Sequence, residues 1–243
     1  MKHAFATGVA GIALMLSPAA LWAQPAAEIA AAVADAGRPA TDTARDANRK
    51  PAEIVAFAGV KAGDVVAEIA PGGGYYTRIL AKAVGPQGRV YAMMPTFFAN
   101  RPGGLDAINA LAAEYGNVTV VAVDFTDFTL PEPVDLVWTT ENYHDLANGN
   151  IAGANKAVFD ALKPGGIYFV EDHSAPGTGT SVTSTLHRID PAAVKEQVTA
   201  AGFALEAESD LLANPEDPHN ISQSDPSIRG KTDKFALRFR KPG

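Results

Sequence analysis

The sequence predicts an open α/β fold, with helices covering a mostly parallel sheet, and three observations carry that expectation. Residues 65–69, Val-Val-Ala-Glu-Ile, form a short β-branched run suited to a buried parallel strand. The run breaks at Pro71-Gly72-Gly73-Gly74 into a helix marked by Ile79, Leu80 and Val84. Further apolar runs of this kind alternate with helix-period segments to the end of the chain. Leu162-Lys163-Pro164-Gly165-Gly166 stops a helix and turns the chain sharply into the next run, 167–170.

Composition fits this class. A chain of 243 residues suits one α/β domain with short additions, and 47% hydrophobic residues are enough for a sizeable core. A net charge of −7 and no clustered Lys/Arg face argue against nucleic acid or an anionic membrane as partner. The chain contains no cysteine, which excludes disulfides, thiolate metal sites and cysteine nucleophiles.

Residues 1–23 read as a secretory signal peptide outside the fold. Met1-Lys2-His3 is a short basic start, 4–16 an uncharged apolar core, and Ala23 a small residue at the expected cut. The apolar core is short for a membrane span. The mature chain is therefore expected to start at Gln24, to lie in the periplasm and to have no stable membrane insertion after processing. Residues 24–50 read as an N-terminal helix and polar linker, and 51–243 as the main domain.

In order along the mature chain, 25–36 is alanine-rich with Ile29 and Val33 at helical spacing, a short helix ended by Gly37-Arg38-Pro39. Residues 41–50 are polar and read as a segment over the ligand cleft, with Arg45, Asp46, Arg49 and Lys50 as its solvated face. Pro51 opens a helix at a position where the missing N–H is harmless. The first crossover helix covers 75–84 and the second strand 89–94. A loop at 96–104 and a helix at 105–115 lead to the third strand, 118–123, and the fourth is 134–140. Helix 151–162, strand 167–170 and a Gly/Ser/Thr-rich loop at 174–181 follow. Asp190-Pro191 then caps another helix. Strand 202–208, a long polar loop at 211–233 and an alternating edge strand at 234–240 complete the chain.

The candidate site residues fall at strand ends, which border the ligand crevice in an open sheet. The glycine turn brings backbone N–H groups and a helix N-terminus there, where side chains would obstruct a ligand. Glu68 is a carboxylate in an otherwise apolar strand, able to face a cationic or hydroxyl-bearing ligand. Glu141-Asn142-Tyr143-His144-Asp145 follows the fourth strand and Glu171-Asp172-His173 the fifth, so both blocks collect polar groups at the same edge. Asp124, within Asp124-Phe125-Thr126-Asp127, reads equally well as a turn former. A structural role is also open for His144.

Glu68-Ile69-Ala70-Pro71-Gly72-Gly73-Gly74 resembles the first motif of class I S-adenosylmethionine-dependent methyltransferases, an acidic residue followed by Gly-x-Gly-x-Gly, with Ala70 in place of the first glycine. Leu-Lys-Pro-Gly-Gly before a strand is a second feature similar to that family. Asn142-Tyr143-His144-Asp145 with Glu171-Asp172-His173 most resembles the exported predicted methyltransferases of proteobacteria. The resemblance spans roughly 51–241. It implies a Rossmann-like, three-layer α/β/α fold with a mostly parallel seven-stranded sheet and an antiparallel last strand. It also implies S-adenosylmethionine as cofactor, with Glu68, Ala70, Gly72, Gly73 and Gly74 at its amino-acid end and Asp124 and Phe125 bracketing the adenine. Met93 or Met94 stands where the family carries an acidic ribose ligand, a departure from the pattern.

The leading expectation is methyl transfer to a small-molecule acceptor, with His144 as base or substrate orienter and Tyr143 and Asn142 shaping the pocket. A second reading is a ligand-binding module on the same fold without turnover, favoured by the missing ribose acid and the export signal. A third is a metal-dependent hydrolase or lyase using His144, Asp145, Asp172, His173 and His187, although no short ligand spacing supports a metal site.

Overall fold

The computed structural model describes residues 26–243, so the expected signal peptide lies outside the described residues. Helix α1 (Ala27–Val33), two short turns, α2 (Ala40–Thr43) and α3 (Asp46–Arg49), and α4 (Pro51–Ala58) lead to strand β1 (Val65–Ile69). Helix α5 (Tyr75–Val84) crosses to β2 (Arg89–Pro95), and α6 (Thr96–Ala99) and α7 (Asp106–Tyr115) lead to β3 (Val118–Val123). The chain then passes to β4 (Val134–Thr140), α8 (Tyr143–Leu146), α9 (Ile151–Ala161) and β5 (Leu162–His173). Helices α10 (Thr183–Leu186) and α11 (Pro191–Ala200) and strands β6 (Ala204–Ser209) and β7 (Lys234–Arg240) complete it.

The strands form one sheet in the order β3-β2-β1-β4-β5-β7-β6. Its first five pair in parallel, and β7 runs antiparallel between β5 and β6. Successive strands run outward from β1 to β3, and the chain then recrosses to place β4 on the other side of β1. That reversal makes the carboxyl ends of β1 and β4 the switch point where open α/β sheets bind ligands.

Strand alternation divides the core into two layers. Val66, Leu136, Trp138 and Phe169 pack with α1, α4, α5 and α7, whereas Ala67, Val137, Tyr168 and Val170 pack with α8, α9 and α11. Tyr76 meets Trp138 at 4.8 Å between ring centroids, and Trp138 meets Phe169 at 4.4 Å. Such aromatic pairs contribute about 0.5–1.5 kcal/mol each beyond their burial. They lock the start of α5 onto β4 and β5, directly below the switch point.

Strand β5 is longer than the sequence suggests. It starts at Leu162, and its pairing with β4 jumps from Val134–Leu162 to Leu136–Ile167. The Pro-Gly-Gly stop therefore bulges out of a continuing strand, held by Gly165 N–H donating to Lys241 O at 3.0 Å. At the far end β5 runs on to His173 because β7 pairs with it as far as Lys234. Glu171 and Asp172 consequently sit inside the sheet.

Candidate active site

The glycine turn closes on a Gly74 N–H···O Pro71 bond of 2.9 Å. Ala70, the residue in place of the first glycine, occupies the left-handed region at φ 50°. A Cβ on Gly74 would lie 2.3 Å from Leu111 Cδ1, so this glycine serves the packing of α5 against α7. Gly72 and Gly73 differ: both are exposed, and a Cβ on either meets nothing within 4 Å. Those two residues leave an open face of backbone at the carboxyl edge of β1, a cradle that a side chain would fill.

The turn is tied to the neighbouring strands. Ala70 N–H donates to Met93 O at 3.0 Å, and Asn142 Nδ2 donates to Ala70 O at 3.3 Å and Thr140 O at 2.6 Å. Glu141, next to Asn142, is a second left-handed non-glycine residue, at φ 56°. Two such conformations at the ends of adjacent strands cost of order 1–3 kcal/mol each, the kind of strain concentrated at functional sites.

Glu68 is buried beneath the turn and accepts a hydrogen bond from Thr77 Oγ1 at 2.6 Å. Burial pushes its carboxyl up to about 7, against the smaller opposing effects of the Thr77 bond and the Arg78 charge.

The polar segment of α2 and α3 lies over the start of α5. Arg38, Arg45 and Arg49 place their guanidinium carbons 5.3, 4.6 and 4.8 Å from the Tyr75 ring centroid. Asp46 ties this strap down, accepting two bonds from Arg38 and one from Tyr75 Oη at 2.6 Å. Arg49 is part-buried rather than solvated and reaches across to pair with Glu141 at the end of β4.

Glu141 also accepts a bond from Lys234 Nζ at 3.0 Å, and the same Nζ lies 3.1 Å from Glu171 Oε1. Lys234 is thus shared between the two carboxylates. Burial raises the Glu141 carboxyl, but Lys234 and Arg49 outweigh it and hold that carboxyl well below the usual range. Burial instead dominates at Glu171 and pushes it up. Tyr76 Oη and Trp138 Nε1 are buried without a partner. The sequence reading set Arg49 on a solvated face and did not single out Lys234, because neither lies near a strand carboxyl end in sequence. Only the strap and the antiparallel return of β7 deliver them.

His144 is buried on α8, with Nδ1 2.8 Å from Asp172 Oδ1. Burial opposes charging this imidazole, but Asp172 outweighs it and raises its proton affinity. Nε2 faces the other way, 3.5 Å from Asp145 Oδ1, and His187 Nδ1 lies 3.5 Å from the same oxygen. His173 turns aside to Thr232, with Nδ1 2.8 Å from Oγ1, and burial lowers it to about 4. Tyr143 is fully buried, its hydroxyl bonded to Asn155 at 2.9 Å and Gln197 at 3.2 Å in the α9–α11 layer. Thus His144 and Asn142 stand at the strand edge, while Tyr143 roots α8 in the core behind them.

On the other side of the turn, Asp124 is exposed at the end of β3 and accepts bonds from Thr126 N–H at 2.9 Å and Oγ1 at 2.8 Å. Phe125 packs partly against the second core layer. Met93 and Met94 are buried in β2, so that strand ends without a carboxylate. Two cavities of about 470 and 700 Å³ lie beside Lys82 and Gly85, at the opposite end of α5. They are separate from this site.

Residues 66–166 match the family model described as a methyltransferase domain. No curated protein matches the chain in sequence. Among solved structures, a SAM-dependent methyltransferase from Aquifex aeolicus is similar at a TM-score of 0.56 and 17% identity, over 79% of this chain and 88% of that one. The glycopeptide N-methyltransferase MtfA, complexed with S-adenosylmethionine, is similar at 0.56 and 17%, over 82% and 87%. The [4+2]-cyclase SpnF is similar at 0.57 and 18%, over 86% and 84%. The architecture is therefore that of the Rossmann-like class I methyltransferases, a mostly parallel seven-stranded sheet with an antiparallel last strand.

Proposed function

We propose that the chain is a class I S-adenosylmethionine-dependent methyltransferase, exported and acting on a small-molecule acceptor, a reading supported by its fold and by the match over 66–166. The observation that carries this reading is the open Gly72–Gly73 backbone at the β1/β4 switch point. A bound S-adenosylmethionine supplies a methyl group on a sulfonium, made electrophilic by that charge.

The chain's residues fit that cofactor. The glycine cradle admits its amino-acid end beside Ala70, Gly72, Gly73 and Gly74, with Glu68 supporting the turn from below through Thr77. Asp124 and Phe125 take the adenine side, and no carboxylate of β2 is available for the ribose. Glu141 keeps a negative charge at the end of β4 under the strap. Asn142 fixes the distance between that strand and the turn.

On the acceptor side, Asp172 orients His144 as base or substrate orienter, and Tyr143 anchors the helix that presents it. Orientation and proton removal are what methyl transfer requires of a protein. The similarity to a cyclase on this fold makes turnover the point to test. Mature protein, expected to begin at Gln24 by intact mass, is incubated with S-adenosylmethionine and a panel of hydroxyl, amine and carboxylate acceptors. Release of S-adenosylhomocysteine with a matched mass gain of one methyl group on an acceptor supports the proposal. Binding without release throughout the panel supports the ligand-binding module instead. Among the described residues no helix is long and apolar enough to cross a membrane. Export itself rests on the sequence of residues 1–23.

A further inference from the structure

The geometry around α8 points to a site for a divalent d-block cation, and we propose that His144 Nε2, His187 Nδ1 and the Asp145 carboxylate bind it. The three ligand atoms lie within 4.8 Å of one another. Asp145 Oδ1 stands 3.5 Å from each imidazole nitrogen. Ligands 2.0–2.1 Å from a tetrahedral ion stand about 3.4 Å apart, so two of the three edges already match zinc. Two imidazoles and one carboxylate, with no thiolate available, suit Zn²⁺ or Co²⁺.

The surroundings are built as a supporting shell. Asp172 can only accept at His144 Nδ1, which keeps the proton there and leaves the Nε2 lone pair for an ion. The adjacent Arg188 is fully buried, bonding Asp217 at 2.8 and 3.1 Å, Ser174 O at 3.1 Å and Ile221 O at 2.9 Å. This fixes the chain that carries His187. Thr183 Oγ1 on α10 bonds Asn148 Oδ1 at 2.6 Å and ties that helix to the segment after α8. The side chains of Asp145 and His187 are 55% and 43% exposed, against 3% for His144, so an ion has access from solvent.

Three protein ligands leave a fourth position open. The role at that position rests on the methyltransferase reading: an acceptor hydroxyl would bind there and release its proton to water. Its oxygen pair then forms the bond to the methyl carbon as the carbon–sulfur pair leaves on sulfur. The site itself does not rest on that reading, and its test uses neither cofactor nor acceptor.

The full mature chain, stripped with a chelator, is titrated with Co²⁺ and followed by visible absorption, then with competing Zn²⁺. One equivalent is expected with a tetrahedral cobalt spectrum and a Kd of about 1 μM or below. Asp145→Ala and His187→Gly should each weaken binding by about tenfold or more. Glycine suits the His187 position because its φ is 52°. Thermal melting verifies that each variant is folded, and either folded variant decides the matter. No spectrum with the wild type up to about 1 mM cobalt, or wild-type affinity in a folded variant, overturns the site. Cobalt binding without S-adenosylmethionine binding would retain the site and reject only its role in methyl transfer.

Discussion

One carboxylate grips His144 twice: Asp172 Oδ2 accepts the His144 backbone N–H at 2.8 Å, and Oδ1 lies 2.8 Å from Nδ1 of its ring. Strand β5 thereby sets both the position of α8 and the direction of the imidazole. A histidine held this way is preorganised, whether Nε2 takes a proton or a cation. His144→Ala should reduce turnover on an identified acceptor by about a hundredfold or more. Its affinity for S-adenosylmethionine, measured by calorimetry, should barely change. Full turnover in that variant would remove His144 from the chemistry.

Glu68 gives a pH signature. Its ordinary pKa of 4.5 rises to about 7 in the folded chain, so between those values the native state keeps a proton that the unfolded state releases. The contribution of Glu68 to stability therefore falls as pH rises from about 4.5 to 7 and is constant on either side, a total of roughly 3 kcal/mol. Glu68→Gln retains an acceptor for Thr77 without the charge. It should be more stable than wild type at pH 8, by up to about 3 kcal/mol, and equal to it near pH 4. Urea denaturation at the two pH values measures this, and an unchanged difference would contradict it.

Arg188 and Asp217 form an ion pair with both side chains fully buried. Arg188→Ala leaves the Asp217 carboxylate without its counter-charge and should lower stability by about 3–5 kcal/mol. A second variant, Asp217→Asn, should cost a similar amount because it strands the guanidinium. Unfolding free energies from denaturant titration within about 1 kcal/mol of wild type would show the pair to be dispensable.

Strand existence was legible because β-branched runs and glycine stops are local signals, whereas the order of the strands in the sheet is set by pairings distant in the chain. The glycine turn and the block from Glu141 to His144 were legible for the same reason, each lying at a strand carboxyl end. Strand length was less so: β5 extends to His173 only because β7 returns beside it, a pairing about sixty residues away in the chain. The network of Arg49, Glu141, Lys234 and Glu171 joins four distant segments and leaves no spacing to read. Tyr143 illustrates the opposite case. Its place among polar residues suggested a pocket wall, whereas the register of the short helix turns its ring into the core.

The account turns on the glycine cradle, and calorimetry of S-adenosylmethionine against the mature chain tests it most directly. Gly72→Val adds a branched side chain at φ 57° and fills open space, while Gly73→Val fills it without a left-handed backbone. Wild type should bind with an affinity in about the micromolar range, and both folded variants should bind about a hundredfold more weakly or not at all. Wild-type protein that does not bind S-adenosylmethionine, or folded Gly73→Val protein that binds it as wild type does, would contradict the assignment of this turn as the cofactor site.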